Sequence, residues 1–251
     1  MIVLCIGGLD PSGGAGILQD VRTVEDLGGR AMAAATAWTA QSSQGLREWG
    51  PLPPDATARQ IRSALDDFPV RAVKIGMVGT AAHGTAIFEA LGERSLPVVL
   101  DPVLAASVGG GLAAADLVGA LRRWLPRVAV VTPNLDEAEA LLGRPVRDVA
   151  AMIDAGRQLV AEGAGAALVK GGHLVGDPRD VLVDADGVVE LGGPRLGDAP
   201  VHGTGCALAS ALAFYLASGL PVRKASSLAR DHLVRRLGSA RRVGIGPLAY
   251  L

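Results

Sequence analysis

The chain has 251 residues and a formal net charge of −1, from 24 basic and 25 acidic residues. This balance argues against nucleic acid and against an anionic membrane surface as partners, because both attract a strongly basic protein. Hydrophobic residues make up 49% of the chain and aromatic residues only 3%, so aliphatic side chains must fill a large core. The two cysteines imply no disulfide framework.

The apolar run at the start of the chain, residues 1–6, is short and has no basic segment before it. It therefore predicts a strand and not a signal peptide. The longest apolar stretch, residues 207–220, falls short of the roughly 20 residues that a membrane-spanning helix needs. With no internal repeat, linker or low-complexity tract, we expect one cytoplasmic domain over residues 1–251 and no membrane partner.

Short apolar runs alternate with helical patterns along the chain, which is typical of βαβ units. The apolar runs predict strands over residues 2–6, 31–37, 46–49, 72–75, 98–100, 128–131 and 167–169. Helical spacing predicts helices over residues 17–27, 56–68, 80–91, 112–125, 149–161, 207–218 and 225–237. An Asp-Gly turn between residues 181–183 and 188–191 predicts a β-hairpin. The predicted fold class is α/β, with a doubly wound, mostly parallel central sheet and helices on both faces.

Glycine and polar residues cluster just after the predicted strands, at the edge where ligands bind in such sheets. The first cluster runs from Gly7 to Gly16, and Asp20 lies about one turn into the helix that follows. A loop this rich in glycine lets the backbone approach a small ligand closely. Asp20 is interpreted either as a ligand contact or as an early-helix acidic residue stabilised by the helix dipole.

Gln41 follows the second predicted strand and offers a donor and an acceptor side by side. That pair suits the edge of a planar heterocycle that carries a ring nitrogen and an amino group. The alternative is a hydrogen bond to the backbone of its own loop. Met77 follows Gly76 at the end of another strand; it is placed either to pack on a flat ring or simply to fill the core.

Carboxylates follow two further strands. Asp101 ends one of them, and Asn134 and Glu137 lie three residues apart after the next, on one face of a helix start. Mg²⁺ takes hard oxygen ligands and needs only one or two carboxylates when nucleotide phosphates supply the rest. The alternative for Asn134 is an N-cap. Lys170, at the end of a later strand, is placed to present its ammonium group to phosphate oxygens.

The segment from His202 to Cys206 stands directly before a strongly helix-forming run. Two glycines at a helix start leave backbone N–H groups free, and with the helix dipole they make a site for an anion. We expect a lowered pKa for Cys206, because the same field favours a thiolate. The alternative is a glycine-rich helix start with a buried cysteine that only fills the core.

Together and in this order, these clusters resemble the ribokinase-like superfamily and, within it, the hydroxymethylpyrimidine and phosphomethylpyrimidine kinases of thiamine biosynthesis. The residues that carry the resemblance are Gly8 to Gly16 with Asp20, Thr39 to Gln41, Lys74 to Met77, Asp101 to Val103, Asn134 with Glu137, Lys170 to Gly172, and His202 to Cys206. They extend over nearly the whole chain.

The resemblance implies a ribokinase-like fold, a homodimer, and Mg²⁺-assisted phosphoryl transfer from ATP to 4-amino-5-hydroxymethyl-2-methylpyrimidine and to its monophosphate. The roles that it implies are a catalytic base at Cys206, an anion hole at Gly203 and Gly205, substrate contacts at Gly8, Asp20, Gln41 and Met77, nucleotide contacts at Asn134, Lys170 and Thr204, and metal ligands at Asp101 and Glu137.

One departure from the family pattern concerns the segment after residues 101–103, which lacks the basic residue that the family usually carries on the substrate side. The use of the monophosphate is therefore open. One alternative function is a pyridoxal or pyridoxine kinase, which shares the scaffold. Another is a catalytically weak, regulatory pyrimidine-binding module, and a third is a purely structural α/β domain.

Overall fold

Nine strands form the central sheet of the computed structural model, which describes residues 1–106, 110–111, 116–196 and 200–251. In chain order the strands of the described ranges are β1 (Ile2–Leu9), β2 (Arg30–Ser42), β3 (Gly45–Pro51), β4 (Ala72–Ile75), β5 (Val98–Leu100), β6 (Ala105–Ala106), β7 (Gly110–Gly111), β8 (Val130–Val131), β9 (Ala166–Val169), β10 (Arg179–Asp184), β11 (Gly187–Gly192), β12 (Val201–His202), β13 (Arg241–Arg242) and β14 (Ala249–Tyr250). Of these, β6, β7, β12, β13 and β14 lie outside the central sheet. The order across the central sheet is β11-β10-β9-β8-β5-β4-β1-β2-β3.

The middle of this sheet is parallel, from β9 through β8, β5, β4 and β1 to β2. Its two edges are antiparallel, formed by β3 on one side and by the predicted hairpin β10–β11 on the other. The chain runs outward from β1 to β2 and β3 in one direction, and from β4 to β9 in the other. The strand order therefore reverses between β1 and β4, and in an open α/β sheet a crevice at the carboxyl ends of the strands opens at such a point.

Helices cover both faces of the sheet, which confirms the predicted fold class. They are α1 (Gly16–Asp26), α2 (Pro54–Asp67), α3 (Ala81–Leu91), α4 (Leu117–Trp124), α5 (Leu135–Leu142), α6 (Val149–Ala161), α7 (Thr204–Ala217) and α8 (Val222–Leu237). Side chains alternate across a strand, and β1 shows the result. Leu4 and Ile6 pack in the apolar cluster that includes α2 and α3, whereas Val3 and Cys5 pack in the one that includes α1 and α7.

Several element boundaries differ from those predicted. The helix predicted over residues 112–125 is described from Leu117 to Trp124 and continues as a 3₁₀ turn, because Pro126 cannot extend an α-helix; residues 112–115 lie outside the described residues. The helix α5 was predicted only as a helix start at Asn134 and Glu137 and without bounds, since it is only eight residues long. The three-stranded sheet β12-β14-β13 was not predicted, because two-residue strands carry no alternating pattern.

No helix in the described ranges is both long and apolar enough to cross a membrane.

Candidate active site

The start of α7 is built against the glycine-rich loop that follows β1. Gly203 caps the helix at φ +78°, a left-handed conformation that glycine adopts without strain. A Cβ atom at position 203 would lie 1.8 Å from the carbonyl oxygen of Gly14, so no larger residue fits. The N–H groups of the first turn have no partner within a helix. The predicted anion hole thus has free backbone donors at a helix N-terminus, where an anion is stabilised.

Two charged side chains that directly follow strands reach the same helix start: Asp101 follows β5 and Lys170 follows β9. A Cβ atom at Gly205 would lie 3.0 Å from Nζ of Lys170 and 3.6 Å from Oδ2 of Asp101. Thr204, a predicted nucleotide contact, is the first residue of α7. The fold therefore brings the predicted anion hole, the predicted nucleotide contact Lys170 and the predicted metal ligand Asp101 into direct proximity.

Cys206 lies in the first turn of α7 and is half-buried. Burial raises the pKa of its thiol to about 11; the ammonium group of Lys74 opposes this rise, and the carboxylates of Asp20 and Asp101 add to it. The predicted lowering of this pKa is wrong, because the helix start is packed and faces two carboxylates. The thiol is therefore mainly protonated at neutral pH.

Asp20 forms a fully buried ion pair below Cys206. Its two carboxylate oxygens accept from Nζ of Lys74 at 2.8 and 2.7 Å, and the hydroxyl of Ser210 donates to it at 2.8 Å. Ser210 lies one turn beyond Cys206 on the same face of α7. Asp20 thus joins α1, β4 and α7 beneath the thiol, and its predicted contact with substrate stays a prediction.

Asp101, Glu137 and Lys170 form an acidic cluster beside the helix start. Nζ of Lys170 donates to Oδ1 of Asp101 at 2.6 Å and lies 3.8 Å from Oε2 of Glu137. Burial and the neighbouring carboxylate of Asp101 raise the pKa of Glu137 to about 7, although Lys170 opposes this. One lysine thus serves two carboxylates, and the cluster carries an excess of negative charge.

This cluster fits the predicted role in holding Mg²⁺. No group of three or more His, Cys, Asp or Glu side chains gathers as a metal cage in the described parts of the chain. A nucleotide-bound Mg²⁺ needs only one or two carboxylates, because waters and phosphate oxygens complete its coordination. The raised pKa of Glu137 points the same way, since a cation would favour its ionised form.

Asn134 has a structural role that one of the sequence interpretations anticipated. It caps α5: its side-chain oxygen accepts from the N–H of Glu137 at 2.9 Å, and Oε2 of Glu137 accepts from the N–H of Asn134 at 2.8 Å. This reciprocal pair is a capping box. It fixes the Glu137 carboxylate next to Lys170, while the predicted contact of Asn134 with nucleotide stays a prediction.

Gly8 and Met77, both predicted substrate contacts, lie against each other. A Cβ atom at Gly8 would lie 2.8 Å from the sulfur of Met77. Met77 is 8% exposed and packs with Ala37, and the partly buried Trp49 and Val103 pack against this pair. Met77 therefore fills a small apolar cluster at the edge of the crevice, and glycine at position 8 makes room for it.

Gln41 belongs to a hydrogen-bonded chain that sequence reasoning missed. Nε2 of its side-chain amide lies 2.8 Å from Nε2 of His202, and the same ring nitrogen lies 2.9 Å from Oδ2 of Asp10. Asp10 and His202 both stand in the clusters singled out from the sequence, but neither was assigned a role. Their position directly after one strand and directly before α7 was the available signal.

The sheet, the glycine-rich loop after β1 and the helix start at Gly203 define the class of protein as a kinase with the ribokinase-like fold. A family model described as phosphomethylpyrimidine kinase matches residues 10–249. The chain belongs to this family, and it is a phosphotransferase.

Individual relatives and solved structures are similar to the chain over most of its length. The chain is 40% identical, over 99% of its length and 94% of the relative's, to a hydroxymethylpyrimidine/phosphomethylpyrimidine kinase of Streptomyces coelicolor. It is similar to the crystal structure of phosphomethylpyrimidine kinase from Clostridium difficile, with 32% identity, a TM-score of 0.83 and coverage of 94% and 99% of the two chains. A pyridoxal kinase from Staphylococcus aureus in complex with AMP-PCP and pyridoxal gives 27% identity, a TM-score of 0.91 and coverage of 100% and 92%.

Proposed function

We propose that the protein transfers the γ-phosphoryl group of ATP to the hydroxymethyl oxygen of 4-amino-5-hydroxymethyl-2-methylpyrimidine, and then to the resulting monophosphate, in thiamine biosynthesis. The observation that carries this proposal is the start of α7. Free backbone donors at Gly203 and Gly205, the thiol of Cys206 and the ammonium group of Lys170 meet there. A phosphoryl transfer needs such positioned donors more than covalent chemistry.

The acceptor alcohol would lie against the small apolar cluster of Gly8 and Met77 at the edge of the crevice, with its polar edge at Gln41. The amide group of Gln41 supplies a donor and an acceptor to a ring nitrogen and the adjacent amino group. Gln41 contacts His202, and His202 directly precedes Gly203 of the anion hole. The side chain that would recognise the ring is therefore held next to the anion hole. The hydroxymethyl group would then point toward Cys206.

In the transfer step, the alcohol oxygen attacks the γ-phosphorus, its proton passes to Sγ of Cys206, and ADP leaves. Only the thiolate form of Cys206 can accept this proton. Because burial raises the pKa of the thiol to about 11, the reactive form is a small fraction at neutral pH and grows with pH. The first-turn N–H groups and Lys170 stabilise the negative charge on the phosphoryl oxygens.

Glu137 and Asp101 would hold Mg²⁺, directly or through water, on the phosphate side of the site. When bound, Mg²⁺ neutralises charge on the phosphate oxygens. Lys170 bonds Asp101 at 2.6 Å and thus keeps that carboxylate oriented. The capping box of α5 does the same for Glu137.

A pyridoxal kinase is the second candidate. The TM-score of 0.91 to the pyridoxal kinase of Staphylococcus aureus favours it, whereas the family model and the 40% identity to the Streptomyces coelicolor kinase favour the pyrimidine. The two acceptors differ at the ring edge that Gln41 would contact.

The test is an ADP-release assay with three separate acceptors: the aminopyrimidine alcohol, its monophosphate and pyridoxal. We expect the alcohol to give the highest kcat/KM. A Gln41→Leu variant, of similar size but without the amide, should lose most of this preference. Turnover of pyridoxal alone would establish the second candidate, and tight pyrimidine binding without ADP release from any acceptor would indicate the regulatory module.

We further propose that residues 1–251 act as one kinase domain, since the central sheet takes its strands from residues 2–192 and the C-terminal helices α7 and α8 pack in the same apolar cluster as β1. A homodimer and a cytoplasmic location remain predictions.

A further inference from the structure

A buried histidine stands between a carboxylate and the glutamine at the proposed ring-recognition site. Nε2 of His202 lies 2.9 Å from Oδ2 of Asp10 and 2.8 Å from Nε2 of the Gln41 side-chain amide. His202 is 2% exposed and Asp10 is 3% exposed, so bulk water does not compete for these contacts. One ring nitrogen therefore has to satisfy two neighbours.

The carboxylate decides where the proton is. Asp10 accepts from the backbone N–H groups of Ser12 and Ala15 at 2.9 Å each. Burial acts to raise the pKa of Asp10, but hydrogen bonds from His202 and Ser12 outweigh it and hold the pKa below its usual value. Asp10 is therefore ionised and can only accept. Two lone pairs facing each other at 2.9 Å would repel, so Nε2 of His202 carries a proton that it donates to Asp10.

The protonated ring nitrogen in turn decides which end of the Gln41 amide faces it. An amide nitrogen has two N–H groups and no lone pair to offer, whereas the amide oxygen has two lone pairs. The two ends are similar in size, so the hydrogen-bond network selects between them. The structure places the amide nitrogen of Gln41 2.8 Å from this ring nitrogen, which would set two donors against each other. Exchanging the two ends of the amide puts Oε1 beside the N–H group of His202 and directs the NH₂ group away from it.

We propose that Asp10 and His202 are positioning residues that lock the Gln41 amide in one orientation and thereby determine the ring edge that the enzyme accepts. This inference rests on the proposed function. With Oε1 held at His202, the NH₂ group of Gln41 donates to a ring nitrogen, and the second lone pair of Oε1 accepts from an adjacent amino group. A ring with the reversed pattern, an N–H next to a carbonyl, would need the amide turned over, and its NH₂ group would then oppose the His202 N–H.

The experiment compares two acceptors that differ only at this edge, the 4-amino alcohol and its 4-oxo analogue. In the wild-type protein, kcat/KM should favour the amino compound. His202→Leu removes the donor and frees the amide to rotate, so the amino/oxo ratio of kcat/KM should fall by about tenfold, the size expected for one unfavourable polar contact. His202→Gln can place an amide N–H near the same point and should restore most of the ratio.

The protonation state gives an independent readout. In ¹⁵N NMR spectra of the full-length protein, the His202 ring, assigned by its loss in His202→Gln, should show a proton on Nε2. An Nε2 without a proton would overturn the proposal, and so would an equal loss of kcat/KM for both acceptors in His202→Leu, which would mark a merely structural role. Asp10 is not the residue to substitute, because it also holds the loop through Ser12 and Ala15.

Failure of the proposed function would give a different result. A wild-type protein that phosphorylates neither pyrimidine would refute the kinase assignment and leave the orientation argument testable. The amino/oxo ratio of equilibrium dissociation constants, measured by calorimetry on the wild type and the two His202 variants, would then replace the ratio of kcat/KM with the same expected change. An unchanged ratio would overturn the proposal.

Discussion

Two lysines lie near the start of α7, and their surroundings differ. Nζ of Lys74 bonds both oxygens of Asp20, which also accepts from Ser210, and neither side chain of the ion pair is more than 1% exposed. The side chain of Lys170 is 13% exposed, and it bonds one oxygen of Asp101 and lies 3.8 Å from Glu137. The first arrangement is a closed pair of one cation and one anion, and the second is an open cluster of one cation and two anions.

The difference distinguishes an ion pair that supports the fold from a cluster that can bind a ligand. The closed pair balances its charge and satisfies its hydrogen bonds, so it can hold three elements together without a ligand. The open cluster has two carboxylates for one ammonium group, and burial together with the carboxylate of Asp101 raises the pKa of Glu137 to about 7. Perturbed titratable groups of this kind concentrate at functional sites. A ligand that brings a cation and several phosphate oxygens would complete the cluster.

Breaking the closed pair should have the largest effect on stability. Lys74→Met leaves the carboxylate of Asp20 buried without a cation, and removal of one partner of a buried pair costs about 3–5 kcal/mol. Urea unfolding followed by circular dichroism measures this loss. The double variant Asp20→Leu with Lys74→Met removes both charges and should recover much of it. If Lys74→Met lowered the free energy of unfolding by less than about 1 kcal/mol, the ion pair of Lys74 and Asp20 would not be a structural support.

Breaking the open cluster should affect catalysis more than folding. Lys170→Met removes a charge-assisted contact to the nucleotide phosphates, so kcat/KM for ATP should fall roughly tenfold to a hundredfold. The loss of stability should be smaller than for Lys74→Met, because the Lys170 side chain is the more exposed of the two. Lys170→Arg keeps the charge and is the matched control. A normal kcat/KM for ATP in Lys170→Met would show that Lys170 does not contact the nucleotide.

The smallest expected effect is a proton release from the open cluster. Burial and the carboxylate of Asp101 raise the pKa of Glu137 to about 7, so its carboxyl group is partly protonated at pH 7, and a bound cation favours its ionised form. Binding of Mg²⁺ with nucleotide should therefore release a fraction of a proton at pH 7. The release should vanish above pH 9, where Glu137 is already ionised. Calorimetry in two buffers of different ionisation enthalpy measures it.

Glu137→Gln, which keeps the size of the side chain and cannot titrate, is the control for this measurement and should release no proton from this position. Equal proton release from the wild type and from Glu137→Gln would show that another group is responsible.

Local sequence patterns were sufficient for much of this architecture. Apolar runs and helical spacing predict the parallel sheet, and the positions of Asp101 and Lys170 directly after its strands predict that they share one edge. The family resemblance implies that Cys206 belongs to the same site. Pairings over long sequence separations were not predictable. Lys74 lies 54 residues from Asp20, and His202 lies 192 residues from Asp10, so no spacing rule connects them.

The pKa of Cys206 could not be predicted for a related reason. The glycines and the helix start are visible in the sequence and favour a thiolate. The burial of the thiol and its proximity to Asp20 and Asp101 come from three different parts of the chain, and together they reverse the direction of the shift.

The role of Cys206 is tested most directly by the pH dependence of a single phosphoryl transfer, measured as a single-turnover rate constant with the aminopyrimidine alcohol. Because the thiolate is the reactive form and the pKa of the thiol is about 11, the rate constant should rise about tenfold per pH unit between pH 7 and pH 9. Cys206→Ala should lower it by roughly a hundredfold or more at pH 9 and remove the rise. Cys5→Ala, which removes the buried thiol of β1 instead, should retain the rise. A flat wild-type profile, or near-normal turnover of Cys206→Ala, would contradict Cys206 as the proton acceptor.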